Sequence, residues 1–485
     1  MRRADVCLLT ATWLAALALV AARQDNLKTD LDRIFSDPLL TRALVGVRVE
    51  SLARSGVVYE RNSAALVMPA SNLKLFTLAA SAERLGWDFR FETRLEAVGT
   101  VADGVLDGDL VVVGGGDPTI RSEDFGPSPV FAEWADALKQ AGIREVKGRL
   151  IGDDHVFDHA RLGAGWAWDY LADGYAAPIS GLSYNENVAV VRAFPGEAPG
   201  DPVHVEVSPP GHRLEVSNGL TTGESKAEPT IDFSRLPGSP RLTVSGVVPA
   251  GGKVLARTAS VDNPTRFFVE ALRLALADRG IRVSGGAWDL DDVSGGPPAG
   301  AHRLVATRRS ETLSALAGYW LKVSQNFYAE TYFKTLGRTP GQPGSAEGGR
   351  RAVREVLTEW GIPPDSYVMY DGSGLSRYNY VTAAGVVTLL RHVWEDEKLR
   401  GPFVAALPVA GHDGTLASRM KGSVLDANVE AKTGTIANVR SLSGYLETNA
   451  HEKLVFSMIV NHFTAKDAEV DAVVERALAR LVDGP

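Results

Sequence analysis

The chain has 485 residues, of which 45% are hydrophobic and 23% charged, and a formal charge of −8, the balance of an ordinary folded protein. The acidic excess argues against nucleic-acid binding and against electrostatic docking on anionic lipid. The only cysteine, Cys7, excludes a disulfide framework, and the length corresponds to roughly three domains.

At the N-terminus, Arg2 and Arg3 precede an apolar run from Val6 to Val20, and Val20-Ala21-Ala22 offers small side chains to a signal peptidase. The run is short for a bilayer span, so residues 1–22 read as a cleavable signal peptide, with an uncleaved anchor as the alternative. Cys7 precedes most of the apolar run, where a lipidated cysteine would follow it. Cleavage removes Arg2, Arg3 and Asp5, leaving 49 basic against 58 acidic residues and no cysteine. No second long apolar run follows. The mature chain is therefore expected to have no membrane span and to be periplasmic or extracellular.

Leu44 to Glu50 alternates around Val45, Val47 and Val49, and with Gly56 to Tyr59 it predicts a hairpin. From Ser71 the period becomes helical through Leu73, Phe76, Ala80 and Leu85, with Gly86 as a stop. Between 93 and 261, short runs such as Leu110 to Val113, His204 to Val207 and Arg241 to Val244 alternate with Gly, Pro and Asp clusters. This predicts an inserted β-rich region of two small domains. Helical periodicity resumes at Asn263-Pro264 with Phe267, Ala271, Leu274 and Ala275. Strands return at Val429 to Thr435, Ser441 to Glu447 and Leu454 to Val460, and a helix closes the chain from Ala465 to Leu481. The pattern predicts an α/β domain built from residues 23–92 and 262–485, its sheet using both chain ends. Gly337 to Gly349 reads as a surface loop.

Three short motifs could carry chemistry. In Ser71-Asn72-Leu73-Lys74, residues three apart share a helix face, so a hydroxyl and an amine become neighbours. Pro69-Ala70 places Ser71 at the helix N-terminus, where the dipole favours a developing alkoxide. A lysine enclosed beside another cation gives up its proton more readily and can then act as a base. In Ser324-Gln325-Asn326, a second hydroxyl can relay a proton and an amide can bind a peptide backbone. Ser183-Tyr184-Asn185 is a rival for this role but falls in the β-rich insertion. In Lys432-Thr433-Gly434-Thr435, a cation and two hydroxyls suit a terminal carboxylate, and Gly434 admits close backbone approach. The amides of Thr435 and Ser71 could form an oxyanion hole.

Each motif alone is weak, but in this order the three resemble the signature of penicilloyl serine transferases. The long span from Ser71 to Ser324 narrows the resemblance to the class C low-molecular-mass penicillin-binding proteins, the D-alanyl-D-alanine carboxypeptidase/endopeptidase family. Gly114 to Thr119, Ser183 to Asn187, Asp371 to Ser376 and Gly411 to Leu416 agree, and the likeness covers residues 27 to 483. Gln325 departs from the family's frequent Asp at the variable position of its motif.

The resemblance implies a β-lactamase/transpeptidase-like fold: an antiparallel sheet flanked by helices, with inserted β-rich domains. It implies Ser71 as nucleophile, Lys74 as general base and Ser324 as proton relay. Asn326 would bind the substrate's peptide amide, and Lys432, Thr433, Gly434 and Thr435 its terminal carboxylate. The expected partners are peptidoglycan stem peptides and β-lactam antibiotics; no metal or organic cofactor is called for. A serine β-lactamase or esterase on the same scaffold, or a wall-binding protein without catalysis, are the alternatives. Carboxypeptidase and endopeptidase action are not separated by sequence.

Some patches suit plainer readings. His155, Asp158 and His159 could resemble metal ligands, but no third cluster lies nearby in sequence and they read as a surface segment. His392 and Glu395 read as a solvated helix face. Ser373 lacks the first glycine of a nucleophile elbow, a place held by Asp371.

Overall fold

The computed structural model describes residues 26–54, 56–124 and 126–484. The expected signal segment, residues 1–22, lies outside them. The chain divides into two compact units. The first comprises residues up to Arg84, Ala317–Gln325 and Val353 onward; the second comprises Leu85–Leu316 and Asn326–Ala352.

The first unit is built on a five-stranded sheet of β1 (Leu44–Ser51), β2 (Val57–Arg61), β3 (Glu430–Ile436), β4 (Val439–Glu447) and β5 (Lys453–Asn461). The order is β3-β4-β5-β1-β2, and every neighbouring pair is antiparallel. The N-terminal hairpin thus joins the C-terminal strands, with Val45, Val47 and Val49 opposite Val460, Met458 and Phe456. Because side chains alternate along a strand, these six residues share one face. They form a core with Leu27, Leu31 and Phe35 and with Val470, Val473, Leu478 and Leu481, the last four from the helix Asp467–Val482. The other face carries the helix Ala383–Glu395, capped by Thr382, whose hydroxyl accepts the Gly385 amide at 3.0 Å. There the buried Tyr445 hydroxyl donates to the Leu390 carbonyl at 2.7 Å.

The second unit holds two large hydrophobic cores beside a small cluster of Ile151, Leu290 and Val293. One lies under a seven-stranded sheet that includes the hairpin Glu92–Ala102/Val105–Val113. Its two-residue turn, Asp103-Gly104, has φ of 50° and 84°, as the tight hairpin turn demands. The helices Pro129–Gln140 and Pro264–Asp278 fill this core with Phe131, Trp134, Phe267, Phe268 and Leu272. The other core lies between two three-stranded sheets and is built of Ala189, Val191, Leu220, Leu242, Val244 and Ala259. Residue 262, where the sequence turns helical, falls inside the second unit, because the apolar stripe of Pro264–Asp278 is buried there.

Candidate active site

A 3-10 turn, Ala70–Asn72, leads into the helix Leu73–Leu85 and places Ser71 at its start. Lys74, one turn on, is fully buried, and its Nζ lies 2.8 Å from Ser71 Oγ. The same Nζ donates to the Ser373 carbonyl at 2.8 Å. Burial leaves the amine few directions to turn, so these contacts aim it at the hydroxyl.

The second lysine behaves in parallel. Lys432 on β3 is fully buried; its Nζ lies 2.9 Å from Ser324 Oγ and donates to the Thr433 carbonyl at 2.9 Å. Ser324 occupies the bend after the helix Leu313–Lys322 with φ of 61°, a left-handed conformation uncommon for residues other than glycine. Burial, and then the neighbouring Lys74 charge, hold the Lys432 ammonium well below the ordinary lysine range. The folded chain therefore gives up this proton before the unfolded chain does. Between the depressed value and the unfolded lysine value near ~10.4, the unfolded state holds more protons and stability rises with pH. Urea denaturation across that window is expected to give a shallower slope for Lys432→Met than for the wild type. Equal slopes would show that Lys432 does not titrate in this way.

β3 and the Ser71 turn are tied directly. Asn72 Nδ2 donates to the Lys432 carbonyl at 2.9 Å, and Ser441 Oγ on β4 donates to the Pro69 carbonyl at 2.7 Å. A side chain at Gly434 would place its Cβ 2.7 Å from Pro69 O and 3.0 Å from Ser71 N. Glycine is therefore needed here for the turn to close on the strand. Thr433 is buried and shares a hydroxyl contact of 2.7 Å with Thr415. Thr435 is exposed, and Arg440, itself paired with Asp471, donates to its hydroxyl.

Ser71, Lys74, Ser324 and Lys432–Thr435 thus belong to one unit and are linked there by hydrogen bonds or packing. Asn326 begins the helix Asn326–Leu336 of the second unit, where its amide donates to the Tyr175 carbonyl at 2.8 Å. The rival Ser183 is structural: its hydroxyl donates to the Ser180 carbonyl at 3.0 Å and accepts from Asn187 at 3.1 Å.

Comparison with known proteins agrees with the geometry. Residues 27–483 match the D-Ala-D-Ala carboxypeptidase 3 (S13) family. The chain belongs to that family. It is 35% identical over 453 residues to a D-alanyl-D-alanine carboxypeptidase of Actinomadura sp. (strain R39), covering 91% of this chain and 82% of the relative. It is 27% identical to the D-alanyl-D-alanine carboxypeptidase DacB of Haemophilus influenzae, over 88% and 87% of the two chains. The crystal structure of penicillin binding protein 4 (dacB) from Haemophilus influenzae superposes with a TM-score of 0.80 at 25% identity, covering 93% and 98%. The fold is accordingly the β-lactamase/transpeptidase-like α/β fold with β-rich insertions, as the resemblance implied. No helix among the described residues is long and apolar enough to cross a membrane.

Reading the sequence left Asn72, Thr415 and the Asp371 segment without roles. Asp371 is fully buried and accepts the amides of Gly374 and Ser376 at 2.8 and 2.7 Å and Asn379 Nδ2 at 2.7 Å. The loop it organises presents the Ser373 carbonyl to Lys74, and the Gly372 carbonyl to Thr77 Oγ1 at 2.7 Å. Its signal in the sequence is a carboxylate among glycines, Asp371-Gly372-Ser373-Gly374.

Proposed function

We infer that this chain is an exported serine-type D-Ala-D-Ala carboxypeptidase that trims peptidoglycan stem peptides through a Ser71 acyl-enzyme. One observation carries the reading: two serine hydroxyls, each within 2.9 Å of a fully buried lysine, on elements tied together by Asn72 and Gly434. A surface lysine beside a serine is commonplace, whereas two buried lysines, each facing a half-buried serine in one unit, are costly to fold and suit proton transfer.

In its neutral form the Lys74 amine takes the Ser71 proton as Oγ attacks the carbonyl of the penultimate D-alanine. The amides of Ser71 and Thr435 are the donors assigned to the oxyanion. Ser324, backed by Lys432, relays that proton from Lys74 to the departing amine, and D-alanine leaves. Water then attacks the ester, giving up its proton to the Lys74 amine, which passes it to Oγ as the ester bond breaks. Lys432, Thr433 and Thr435 hold the terminal carboxylate, whose negative charge favours protonated Lys432. Asn326 is assigned to the substrate's peptide amide on the resemblance alone. A β-lactam is opened by the same attack and stays on Ser71 as an ester. Residues 1–22 direct export, and the working compartment is the periplasm or cell exterior.

The test is peptide mapping by mass spectrometry after exposure to penicillin G, together with an assay of D-alanine release from a peptide ending in D-Ala-D-Ala. A penicilloyl group on the peptide containing Ser71, and free D-alanine, are expected. Penicillin consumed without a lasting adduct would favour the β-lactamase reading. An untouched antibiotic and no D-alanine would favour a binder without catalysis.

A further inference from the structure

We propose that the second unit carries a surface site for a divalent transition metal, best suited to zinc, with His155, His159 and Asp291 as ligands. The two histidines are four residues apart in the sequence, and the fold supplies the third ligand. Strands Leu150–Asp153 and Ala287–Asp289 are parallel neighbours, with Asp289 opposite Gly152. Parallel strands end at the same edge, so the segments that follow them, 154–159 and 290–292, emerge side by side.

The ligand atoms already converge. His155 Nε2 lies 2.8 Å from Asp291 Oδ1 and His159 Nδ1 lies 3.3 Å from Asp291 Oδ2. One donor atom from each residue falls within 4.8 Å of the other two. Around tetrahedral zinc with bonds of about 2.0–2.2 Å, donor atoms stand roughly 3.4 Å apart, so small side-chain adjustments suffice. All three residues are exposed, which leaves the remaining coordination position to water.

The surroundings resemble those of a ligand set more than of a bare ion pair. Asp153 Oδ1 lies 3.6 Å from His155 Nδ1, the ring nitrogen turned away from Asp291, and accepts the His155 amide at 3.0 Å. A carboxylate behind a ligating imidazole fixes its ring and raises its basicity. Asp291 is held in the turn Leu290–Asp292, where its amide donates to Asp289 Oδ1 at 3.2 Å.

The adjacent cluster of Asp154, Asp289 and Asp291 is a poorer candidate, because Arg161 occupies it. Its Nη2 lies 3.2 Å from Asp154 and 3.1 Å from Asp289, but 3.7 Å from Asp291. Asp154 also accepts from Ser180 and Thr265, and Asp289 from Asn263. Asp291 is therefore the carboxylate of the group that is left facing the imidazoles. A bound ion cross-links segments about 130 residues apart and stabilises the folded chain by mass action.

The experiment is calorimetric titration of ZnCl2 into the untagged mature protein, above the pH range where imidazoles are protonated, with thermal melts in zinc and in EDTA. The same measurements are made on His159→Gln and Asp291→Asn, and with MgCl2 in place of zinc. One zinc per chain is expected, with a melting midpoint a few degrees higher in zinc than in EDTA. Affinity should fall at least tenfold in each variant, and magnesium should have no effect, since imidazole ligands suit zinc. His159 lies on an exposed turn, so its variant keeps the test clear of folding defects. Absence of zinc binding, or equal affinity in wild type and His159→Gln, overturns the proposal.

Discussion

Replacing Lys74 by Met is expected to lower the rate of acylation by penicillin G by about 10²–10⁴-fold, the range typical of a positioned general base. Methionine fills a similar volume in a site with no exposure to solvent, so the change is chiefly the loss of the amine. Ser71 Oγ and the Ser373 carbonyl lose a donor. Each such loss costs about 1–3 kcal/mol, but removing a buried amine also removes the cost of taking it out of water, which is of the same order. The variant should therefore fold with nearly wild-type stability. It also removes the neighbouring charge that helps to depress Lys432, so the alkaline rise in stability described above should shrink. Stopped-flow acylation separates the reversible binding of penicillin from the covalent step. Only the covalent step should slow. A rate within threefold of wild type would sink the assignment of Lys74 as base.

How much of this site was legible follows from the distances along the chain that it spans. Ser71 and Lys74 are one helical turn apart, so local periodicity sufficed to pair them. Lys432 and Thr433 were legible as part of a strand because Val429 to Thr435 carries its own β pattern, and β3 spans Glu430–Ile436. The sheet's use of both chain ends was also readable, since strands at each end bracket helices, as in an α/β domain that accepts an insertion. Contacts between distant segments were not readable. The Ser373 carbonyl meets Lys74 across 299 positions, and nothing at either end announces the other. The helix Pro264–Asp278 shows the same limit: its apolar stripe declares a helix with one buried face but not which core receives it. Gly434 was read as making room for substrate, and the structure adds that it makes room for Pro69 and Ser71. His155 and His159 read as a surface segment for a similar reason, because strand pairing and not sequence proximity brings Asp291 to them.

The loop from Asp371 to Asn379 is where such long-range dependence should be most costly to disturb. Asp371→Ala strips acceptors from the Gly374 and Ser376 amides and from Asn379 Nδ2, groups buried with it. Asn379 Nδ2 keeps the Ser376 carbonyl, so the two backbone amides are the stranded donors; at about 1–3 kcal/mol each the expected loss is roughly 2–6 kcal/mol, a large part of the stability of a typical domain. Solvent cannot make up the deficit, because the loop lies against the Ser71 turn. A Cβ at Gly374, where φ is +86°, would sit 1.8 Å from the Ala70 carbonyl oxygen. The loop therefore has little room to rearrange, and the Ser373 carbonyl that aims Lys74 moves when its support is lost. Asp371→Asn keeps one acceptor oxygen but turns an NH2 group toward donors, so an intermediate loss is expected. Asp371 is a positioning residue, and the informative readout is a split between two quantities. The midpoint of urea unfolding should fall in both variants. In the fraction that remains folded, the covalent step with penicillin should slow, while reversible binding, which the proposed mechanism assigns to Lys432 and Thr433, should change little. Wild-type stability in Asp371→Ala would mean that the loop holds its shape without the carboxylate, and the account of how Lys74 is aimed would have to rest on burial alone.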